Sequence, residues 1–252
     1  MDHTAPAIST WAERFRSLAA AGLPERFIEL HREVRTAASA QPVAPPDHIH
    51  SWIAAFRDGE GNRRSVDGPL LSHMLGVQPP DLTQRASPEA RAWATLARRD
   101  PTPTDGTIDW SGDGRLYPSL ASDGIETWTE AELASLQAIA WLALHARSEV
   151  IMNRAVSAAA WLSREVQPDN ATQRPWAAGL FIVRSMDASL SSRECQEYAL
   201  YAHTLIENAL VGREHPDRFS ACILWDSAAW LEALAASRWQ GPPAWLGSVV
   251  AT

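Results

Sequence analysis

The sequence predicts an all-α protein made of antiparallel helix hairpins, and three observations lead to this class. Apolar residues recur at helical spacing from end to end of the chain. No stretch alternates apolar and polar residues with the β-branched enrichment typical of strands. Capping sequences, glycines and prolines divide the chain into pieces of helix length. We therefore interpret residues 1–252 as a single helical domain, with a less regular segment at 58–126 and the clearest helical repeats at 129–238.

Helix starts in the first half are marked by a capping residue or by a proline in the first turn, where a missing N–H breaks no helical hydrogen bond. Gly22 and the proline-rich segment at 41–46 mark two of the helix ends, because glycine adopts the left-handed conformation and proline cannot donate a hydrogen bond. The predicted starts are the capping box Thr10 to Glu13, Pro24, Asp47, Pro69, and Pro88 preceded by its cap Ser87.

Five helices are predicted in the second half. Short connections between them require sequential helices to lie antiparallel. Three of them share a pattern of small residues followed by Trp and Leu, centred on Trp141, Trp161 and Trp230, and small residues let helix backbones approach closely. The predicted starts are the capping box Thr129 to Glu132, Ser148, Pro175, the capping box Ser191 to Glu194, and Arg218.

A resemblance to known proteins covers the C-terminal part of the chain, from Ala159 to Leu231. It rests on the segments QPDNATQRPWA at 167–177 and PDRFSA at 216–221. With these segments the chain resembles helix-hairpin repeats of uncharacterised bacterial proteins, which are similar in layout to α/α toroids. The resemblance implies an α/α toroid or a short solenoid and no particular activity. The sequence contains neither the Asp-x-Asp-Asp motif of terpene cyclases that act by protonation nor the Asp-x-Cys zinc ligands of protein prenyltransferases.

Charge and composition exclude several classes of function. The formal charge is −8 and no Arg cluster exceeds two adjacent residues, which argues against nucleic-acid binding. All 22 basic residues are Arg, so no lysine is present to form a Schiff base, a P-loop or a Ser-Lys pair. The longest apolar run, at 138–144, is much shorter than the roughly 20 residues of a membrane span. The N-terminus has no secretory signal, so we expect a cytoplasmic protein in which Cys195 and Cys222 are buried and unpaired.

Three patterns offer metal ligands, and each of them is incomplete. In the long loop at 100–126, residues 109–114 match the opening of a calcium loop, but Leu120 occupies the position that requires a bidentate carboxylate. Two His/Glu pairs have the four-residue spacing of neighbours on one helix face but lack the further carboxylates of di-metal bundles. We therefore expect neither a metal nor another cofactor. The two pairs are His145 with Glu149 and His203 with Glu207.

We expect any ligand to bind at one rim of the helix array, formed by the turns at 167–175 and 214–217. Two helices separate these turns, so both should face the same way, and each precedes a helix N-terminus, where free N–H groups favour an anion or a polar ligand. The ring of Trp176 either lines a cleft at this rim or anchors its helix start. The candidate binding residues are Asp169, Asn170, Arg174, Trp176, His203, Asp217, Arg218 and Asp226.

Two functions remain compatible with the sequence. The favoured one is a non-catalytic helical-repeat module that binds a protein partner or a small polar ligand, because no catalytic set stands out. The alternative is an α/α-toroid enzyme, hydrolase or cyclase-like, whose carboxylates line a central cleft. Convergence of Asp169, His203 and Asp226 in one pocket with shifted carboxyl pKa values would favour the enzyme. Neither function involves a nucleic acid or a membrane.

Overall fold

A computed structural model describes residues 5–36, 66–82, 86–99, 114–116, 125–166, 172–211 and 214–236. Within these ranges the regular secondary structure consists of nine α-helices and no strand, which confirms the all-α class. The helices are α1 (Ala5–Gly22), α2 (Glu25–Thr36), α3 (Asp67–Leu75), α4 (Pro88–Arg98), α5 (Ile125–Ala146), α6 (Glu149–Glu165), α7 (Ala178–Ser185), α8 (Ser192–Leu210) and α9 (Arg218–Ala236).

The helices pack in pairs. Along the chain, α3 packs on α4, α4 on α5, α5 on α6, and α7 on α8. The most extensive pairing joins the two ends of the described chain, α1 and α9. Arg16 of α1 forms an ion pair with Glu232 of α9. Its Nε and Nη2 atoms lie 2.6 and 2.8 Å from the two carboxylate oxygens of Glu232. Its guanidinium also lies 4.0 Å from the centre of the Trp225 ring, an arrangement typical of a cation–π contact.

The prediction of successive hairpins over 129–238 is correct for α5 with α6 and for α7 with α8, but wrong for α9. That helix packs mainly on α1 and not on its sequence neighbour α8. The physical reason is that α9 buries most of its circumference, and α1 supplies a matching apolar stripe. The stripe consists of Ile8, Ala12, Phe15 and Ala19.

Serine caps predicted from the sequence are confirmed at Ser87 and Ser191, and Ser148, which was predicted only as a helix start, also caps its helix. The side chains of Ser87 and Ser148 accept hydrogen bonds from the backbone three residues on, at the starts of α4 and α6. At α8, Ser191 and Glu194 form the complete capping box, in which each side chain pairs with the other residue's backbone N–H. These caps are local interactions, so the sequence alone identifies them.

Three predicted helix starts are wrong because the helices begin earlier. α1 begins at Ala5, before the predicted box at Thr10, and Ile8 in the added turn packs in the core. α5 begins at Ile125, so the predicted box at Thr129 and Glu132 lies inside the helix. Both of its residues are buried, and the Glu132 carboxylate instead accepts a hydrogen bond from the backbone N–H of Leu116 at 3.0 Å. α3 begins at Asp67, two residues before Pro69.

Tryptophans form part of the core at several helix contacts. Trp93 and Trp230 are buried, whereas Trp11, Trp141 and Trp161 are only partly buried. The Trp141 and Trp230 rings lie 4.9 Å apart between their centroids and join α5 to α9. α7 lies close to α9 at Gly179, where an added Cβ would lie 2.7 Å from the Trp230 ring. A glycine is therefore required at this contact.

The two cysteines are free, and only one of them is fully buried. Cys222 lies in the core on α9, as predicted. Cys195 is partly buried, with its sulfur 3.5 Å from the Asp187 carbonyl oxygen, so the prediction that both thiols are buried is wrong for Cys195. It lies near the start of α8, where the helix has more solvent contact.

Some predicted features lie outside the described residues. They are the helix at Asp47, the calcium-loop positions at 109–113 and 120, and the candidate residues Asp169 and Asn170. In the described part of the chain, no group of three or more His, Cys, Asp or Glu side chains is arranged to hold a metal ion. α9 is long and apolar enough to cross a membrane. However, 72% of its apolar stretch is buried, which is typical of a core helix.

Candidate functional site

A cavity of about 270 Å³ opens between α2, α3, α4, α5 and α9. Part of its wall is apolar, formed by Met74, Leu96, Ala97 and Ala229. The rest of the wall carries several titratable groups and one indole, which is an unusual concentration for a chain with only eight histidines. The polar and aromatic lining residues are His31, His73, Arg99, Trp141, His145 and Asp226.

Asp226 is the buried carboxylate of this cavity. It lies in the middle of α9 within an apolar run and is 3% exposed, so its charge requires hydrogen-bond partners. Its Oδ2 atom accepts hydrogen bonds from Gln137 Nε2 at 2.6 Å and from Trp141 Nε1 at 3.0 Å. Its Oδ1 atom lies 3.5 Å from His73 Nε2. Both oxygens therefore face donors from α3 and α5.

These donors set the ionisation of Asp226. Burial by itself would raise the pKa of this carboxyl, because desolvation disfavours the charged form. The adjacent His73 and the hydrogen bonds from Gln137 and Trp141 act in the opposite direction and outweigh burial, so the pKa of Asp226 lies below its ordinary value. The cavity consequently contains an ionised carboxylate at neutral pH.

Gln137 positions the carboxylate and links it to a third helix. Its side chain is buried in the middle of α5. Its Oε1 atom accepts a hydrogen bond from the backbone N–H of Ala177 at 2.8 Å, just before α7. Ala177 has a positive φ of 56°, a conformation that alanine seldom adopts. One amide thus connects α5, α7 and α9 around Asp226.

His73 lies at the C-terminal end of α3 and is held between aromatic rings. Its centroid is 5.6 Å from that of Trp93 and 6.4 Å from that of Trp141. The Nε2 atom faces Asp226, and within the described residues no hydrogen bond to the Nδ1 atom is found. An imidazole oriented by a carboxylate through one nitrogen keeps the other nitrogen available for a ligand.

His145 stands at the mouth of the cavity and is partly open to solvent. Its ring stacks on Trp141 at 5.6 Å and meets His73 edge-on at 6.1 Å. Partial desolvation and the proximity of His73 and Arg99 lower the pKa of His145 to about 4, although Asp226 acts in the opposite direction. The ring is therefore neutral at neutral pH and presents one basic nitrogen.

His31 and Arg99 complete the polar lining. His31 Nδ1 accepts a hydrogen bond from Trp225 Nε1 at 3.0 Å, which places the proton of the neutral ring on Nε2. Arg99 caps the C-terminus of α4 in the left-handed conformation, with φ of 55°. Together these residues add an N–H donor and a permanent positive charge to the cavity wall.

The chain was compared with protein-family models, with curated proteins and with solved structures. None of them matches. The function of the cavity is therefore interpreted from the chemistry of its own residues.

The rim predicted from the sequence does bring two turns together, through Arg174. Its Nε atom donates to Ser220 Oγ at 3.1 Å, and Ser220 Oγ donates to Asp217 Oδ2 at 2.6 Å. Asp217 also accepts from the Ser220 N–H at 2.9 Å and so caps α9. Arg174 Nη1 lies 2.7 Å from Glu130 Oε1 in an ion pair. Contacts within the protein thus occupy Arg174 and Asp217, and binding of a ligand here stays a prediction.

The other candidate residues are scattered. Trp176 is fully buried and donates to Glu130 Oε1 at 3.1 Å, so its ring packs in the core beneath the rim. Arg218 is exposed at the first position of α9. His203 lies on α8 with Glu207 at 3.9 Å and Trp11 at 6.3 Å, and it does not line the cavity that contains Asp226. The convergence of His203 with Asp226 that would favour an enzyme is therefore not found, and Asp169 lies outside the described residues.

Sequence reasoning selected Asp226 but missed its partners. The local sequence pattern does not single out His73, His31 or Gln137. His145 was considered only as a partner of Glu149 on one helix, which is wrong because α5 ends at Ala146 and Glu149 begins α6. A usable signal was present, since Gln137 and Asp226 are polar residues within long apolar helical runs.

Proposed function

We propose that this protein is a helical module that binds a small polar ligand in the cavity between α2, α3, α4, α5 and α9. The observation that carries the proposal is the convergence of three imidazoles, a guanidinium and a buried carboxylate on one space of about 270 Å³. Small-ligand sites combine apolar walls with a few oriented polar groups in this way. The volume lies just below the usual range of ligand pockets, about 300 to 1,000 Å³, which favours a small metabolite.

The energetics of the network also favour a ligand site. Desolvating a carboxylate in a helix core opposes folding, and here His73, Gln137 and Trp141 outweigh that effect on the carboxyl group. An apolar residue at position 226 would need none of these partners, so three polar side chains are committed to keeping one charge in the cavity wall. A ligand that contacts the oriented His73 and the adjacent polar wall would explain why a charged side chain is buried at this position.

A ligand screen on a cavity-filled variant tests this proposal. Ala229 lines the cavity, so Ala229→Leu reduces its volume, whereas Ala233→Leu adds the same atoms at an exposed position one turn further along the same helix. We expect at least one small polar compound to raise the Tm of the wild type and of Ala233→Leu, and to leave the Tm of Ala229→Leu unchanged. Equal responses from both variants, or no response from any compound, would contradict the proposal.

A second candidate function is proton-transfer catalysis in the same cavity. The specific observation is the pairing of His73 Nε2 with Asp226 Oδ1 at 3.5 Å beside a second, neutral imidazole, His145. A carboxylate that orients an imidazole is a recurrent arrangement for general acid–base chemistry. In this reading His73 accepts or donates the proton at its Nδ1 atom, and Asp226 positions its ring.

Solvent deuterium exchange separates catalysis from binding. The compound identified in the screen is incubated with the protein in deuterated water and followed by NMR. Enzyme-dependent exchange of its carbon-bound protons, or conversion to a product, that is lost in His73→Gln supports the enzyme. A bound compound that neither exchanges nor reacts leaves the cavity as a binding site only.

We further propose that the helix pairs belong to a repeat, arranged either as an α/α toroid or as a short solenoid. The packing of α1 on α9 supports closure into a toroid, because it joins the two ends of the described chain. Small-angle X-ray scattering distinguishes the two, since a compact chain of this length has a radius of gyration of about 18 Å and a solenoid is more extended. From the sequence we also propose a cytoplasmic location, and a protein partner that would bind outside the cavity.

A further inference from the structure

Three hydrogen-bond donors beside the cavity share one acceptor group. Gln137 Nε2 and Trp141 Nε1 donate to Asp226 Oδ2, and His73 Nε2 faces Asp226 Oδ1 at 3.5 Å. Because Asp226 is ionised, it can only accept hydrogen bonds, so the proton of a neutral His73 ring lies on Nε2. These three donors are therefore directed at the carboxylate and not at a ligand.

Acceptor positions remain beside the same residues. An ionised carboxylate offers about four lone-pair sites, and three donors leave about one of them on Asp226. The lone pair of a neutral His73 ring lies on Nδ1. In the part of the chain that the structure describes, this nitrogen has no hydrogen bond and is not among the buried polar atoms without a partner. Since His73 lines the cavity and its side chain is 15% exposed, Nδ1 is accessible to a ligand.

His145 adds a further acceptor at the mouth of the cavity. Partial desolvation and the proximity of His73 and Arg99 lower the pKa of His145 to about 4, so one nitrogen of its ring carries a lone pair at neutral pH. Arg99 and His31 also line the cavity, but both have partners within the protein, and the balance of donors and acceptors around Asp226 does not involve them. A ligand beside His73, His145 and Asp226 therefore needs to donate a hydrogen bond.

The apolar lining determines the rest of the ligand. Met74, Leu96, Ala97 and Ala229 contribute apolar side chains to a space of about 270 Å³. Burial of an apolar group against these side chains is favourable, whereas a polar group placed there would lose its contacts with water without gaining a partner. The body of the ligand is therefore compact and apolar.

From this distribution of donors and acceptors, we propose that the cavity binds a small molecule with an O–H or N–H donor on a compact apolar body, as in a phenol. The donor points at His73 Nδ1, and the apolar body lies against Met74 and Leu96. The inference rests on the proposed ligand-binding function and adds the chemical class of the ligand. The donor requirement applies to neutral molecules, so it does not depend on the net charge of the cavity wall.

NMR titration of the full chain with phenol and with its methyl ether, anisole, tests the donor requirement. The measurement is made at about pH 8, where an ordinary imidazole is neutral. Anisole has the larger apolar surface, so hydrophobic burial alone would favour anisole. We expect phenol to bind at least about fivefold more tightly, because only phenol donates a hydrogen bond. Equal or tighter binding of anisole would overturn the inference, and this comparison needs no variant.

His73→Phe and His203→Phe form a matched pair for the same measurement. His73 lines the cavity, whereas His203 lies on α8 and does not. We expect the ratio of the phenol and anisole affinities to fall to within about twofold of one in His73→Phe and to keep its wild-type value in His203→Phe. The ratio cancels a general loss of affinity that both compounds share. A ratio that His73→Phe preserves in full would overturn the inference.

Imidazole ¹⁵N NMR of the wild type observes the contact itself. At about pH 8 we expect the His73 ring to carry its proton on Nε2, and we expect phenol but not anisole to shift the Nδ1 signal in the direction of a hydrogen-bonded nitrogen. A proton on Nδ1, or equal shifts with the two compounds, would contradict the proposed contact.

The outcomes also separate this inference from the proposed function. If compounds without a donor bind in a manner that depends on Ala229 while phenol does not bind, the donor class is wrong and the cavity remains a ligand site. If no compound of any class binds in that manner, both proposals fail.

Discussion

Gln137 and Asp226 meet at the centre of the fold, with Gln137 Nε2 2.6 Å from Asp226 Oδ2. Because the oxygen of the same amide accepts the Ala177 N–H, the amide has one possible orientation, and its NH₂ group must face the carboxylate. The carboxylate is thus fixed between α5 and α9 with a defined direction toward His73. This contact determines how the cavity is built.

Replacing the carboxylate is expected to destabilise the protein. Asp226→Asn removes the charge that Gln137, Trp141 and His73 share, and the new NH₂ group faces at least one donor. We expect a loss of about 2 to 4 kcal/mol in the free energy of unfolding, measured by urea denaturation near pH 7. The control Asp81→Asn changes an exposed carboxyl and should stay within about 0.5 kcal/mol of the wild type. Similar values for the two variants would contradict the network described here.

Stability is expected to fall on mild acidification because of His145. The folded-state pKa of about 4 lies below the ordinary value of 6.5, so between these values the unfolded chain binds more protons than the folded one. The contribution of neutral His145 to the free energy of unfolding is therefore fully present above about pH 6.5, and it decreases as the pH falls toward 4. The depressed pKa of Asp226 adds a second loss below about pH 4, because the unfolded chain then takes up a proton that the folded carboxylate binds less readily.

Urea unfolding at several pH values in two histidine variants measures this effect. His145→Gln should lose less stability between about pH 6.5 and about pH 4 than the wild type, because glutamine does not titrate. His215→Gln removes an exposed histidine and should follow the wild type. A wild-type profile retained in His145→Gln would show that other groups cause the dependence.

Arg174 and Arg218 should differ strongly in their effect on stability. Arg174 is paired with Glu130 and Ser220 and lies 4.8 Å from the Phe219 ring centre, whereas Arg218 is exposed. We expect Arg174→Ala to cost about 1 to 3 kcal/mol and Arg218→Ala less than about 0.5 kcal/mol in the free energy of unfolding. If Arg174→Ala leaves stability unchanged but abolishes binding of a compound, the rim is a ligand site as the sequence predicts.

Gly179→Ala tests the close approach of α7 and α9. The added methyl group would lie 2.7 Å from the Trp230 ring, which is buried and has little room to move. We expect a loss of about 1 to 3 kcal/mol, measured by urea denaturation. The loss should shrink in a Trp230→Leu background, in which the ring is absent, and an undiminished loss there would mean that the strain arises elsewhere.

Features fixed by neighbouring residues could be predicted from the sequence. The predicted caps at Ser87 and Ser191 need only the next turn of helix, and both are present, as is a cap at the predicted helix start Ser148. The box at Thr129 failed because Glu132 makes a contact with Leu116, which the local pattern does not reveal. Likewise, the partner of α9 is α1 from the far end of the chain, and spacing along the sequence does not indicate that choice.

In the candidate site, too, local features could be predicted from the sequence and long-range contacts could not. Asp226 was selectable because a carboxylate stands out within an apolar helix, but its environment depends on α3 and α5. His73 and His145 come together only through helix packing, with 6.1 Å between their ring centres. The rim residues were predicted to bind a ligand because they lie at helix N-termini. In the structure, however, the guanidinium of Arg174 forms an ion pair with Glu130. Long-range packing decided each of these outcomes.

Histidine NMR tests the ligand site most directly. In protein labelled with ¹³C at the histidine ring carbons, His→Gln variants assign the signals, and the compound with the largest Ala229-dependent increase in Tm is added. We expect the His73 and His145 signals to shift with one shared binding isotherm while the signal of exposed His215 stays in place. Shifts at His203 or His215 with unchanged signals of His73 and His145 would contradict a ligand site in the cavity.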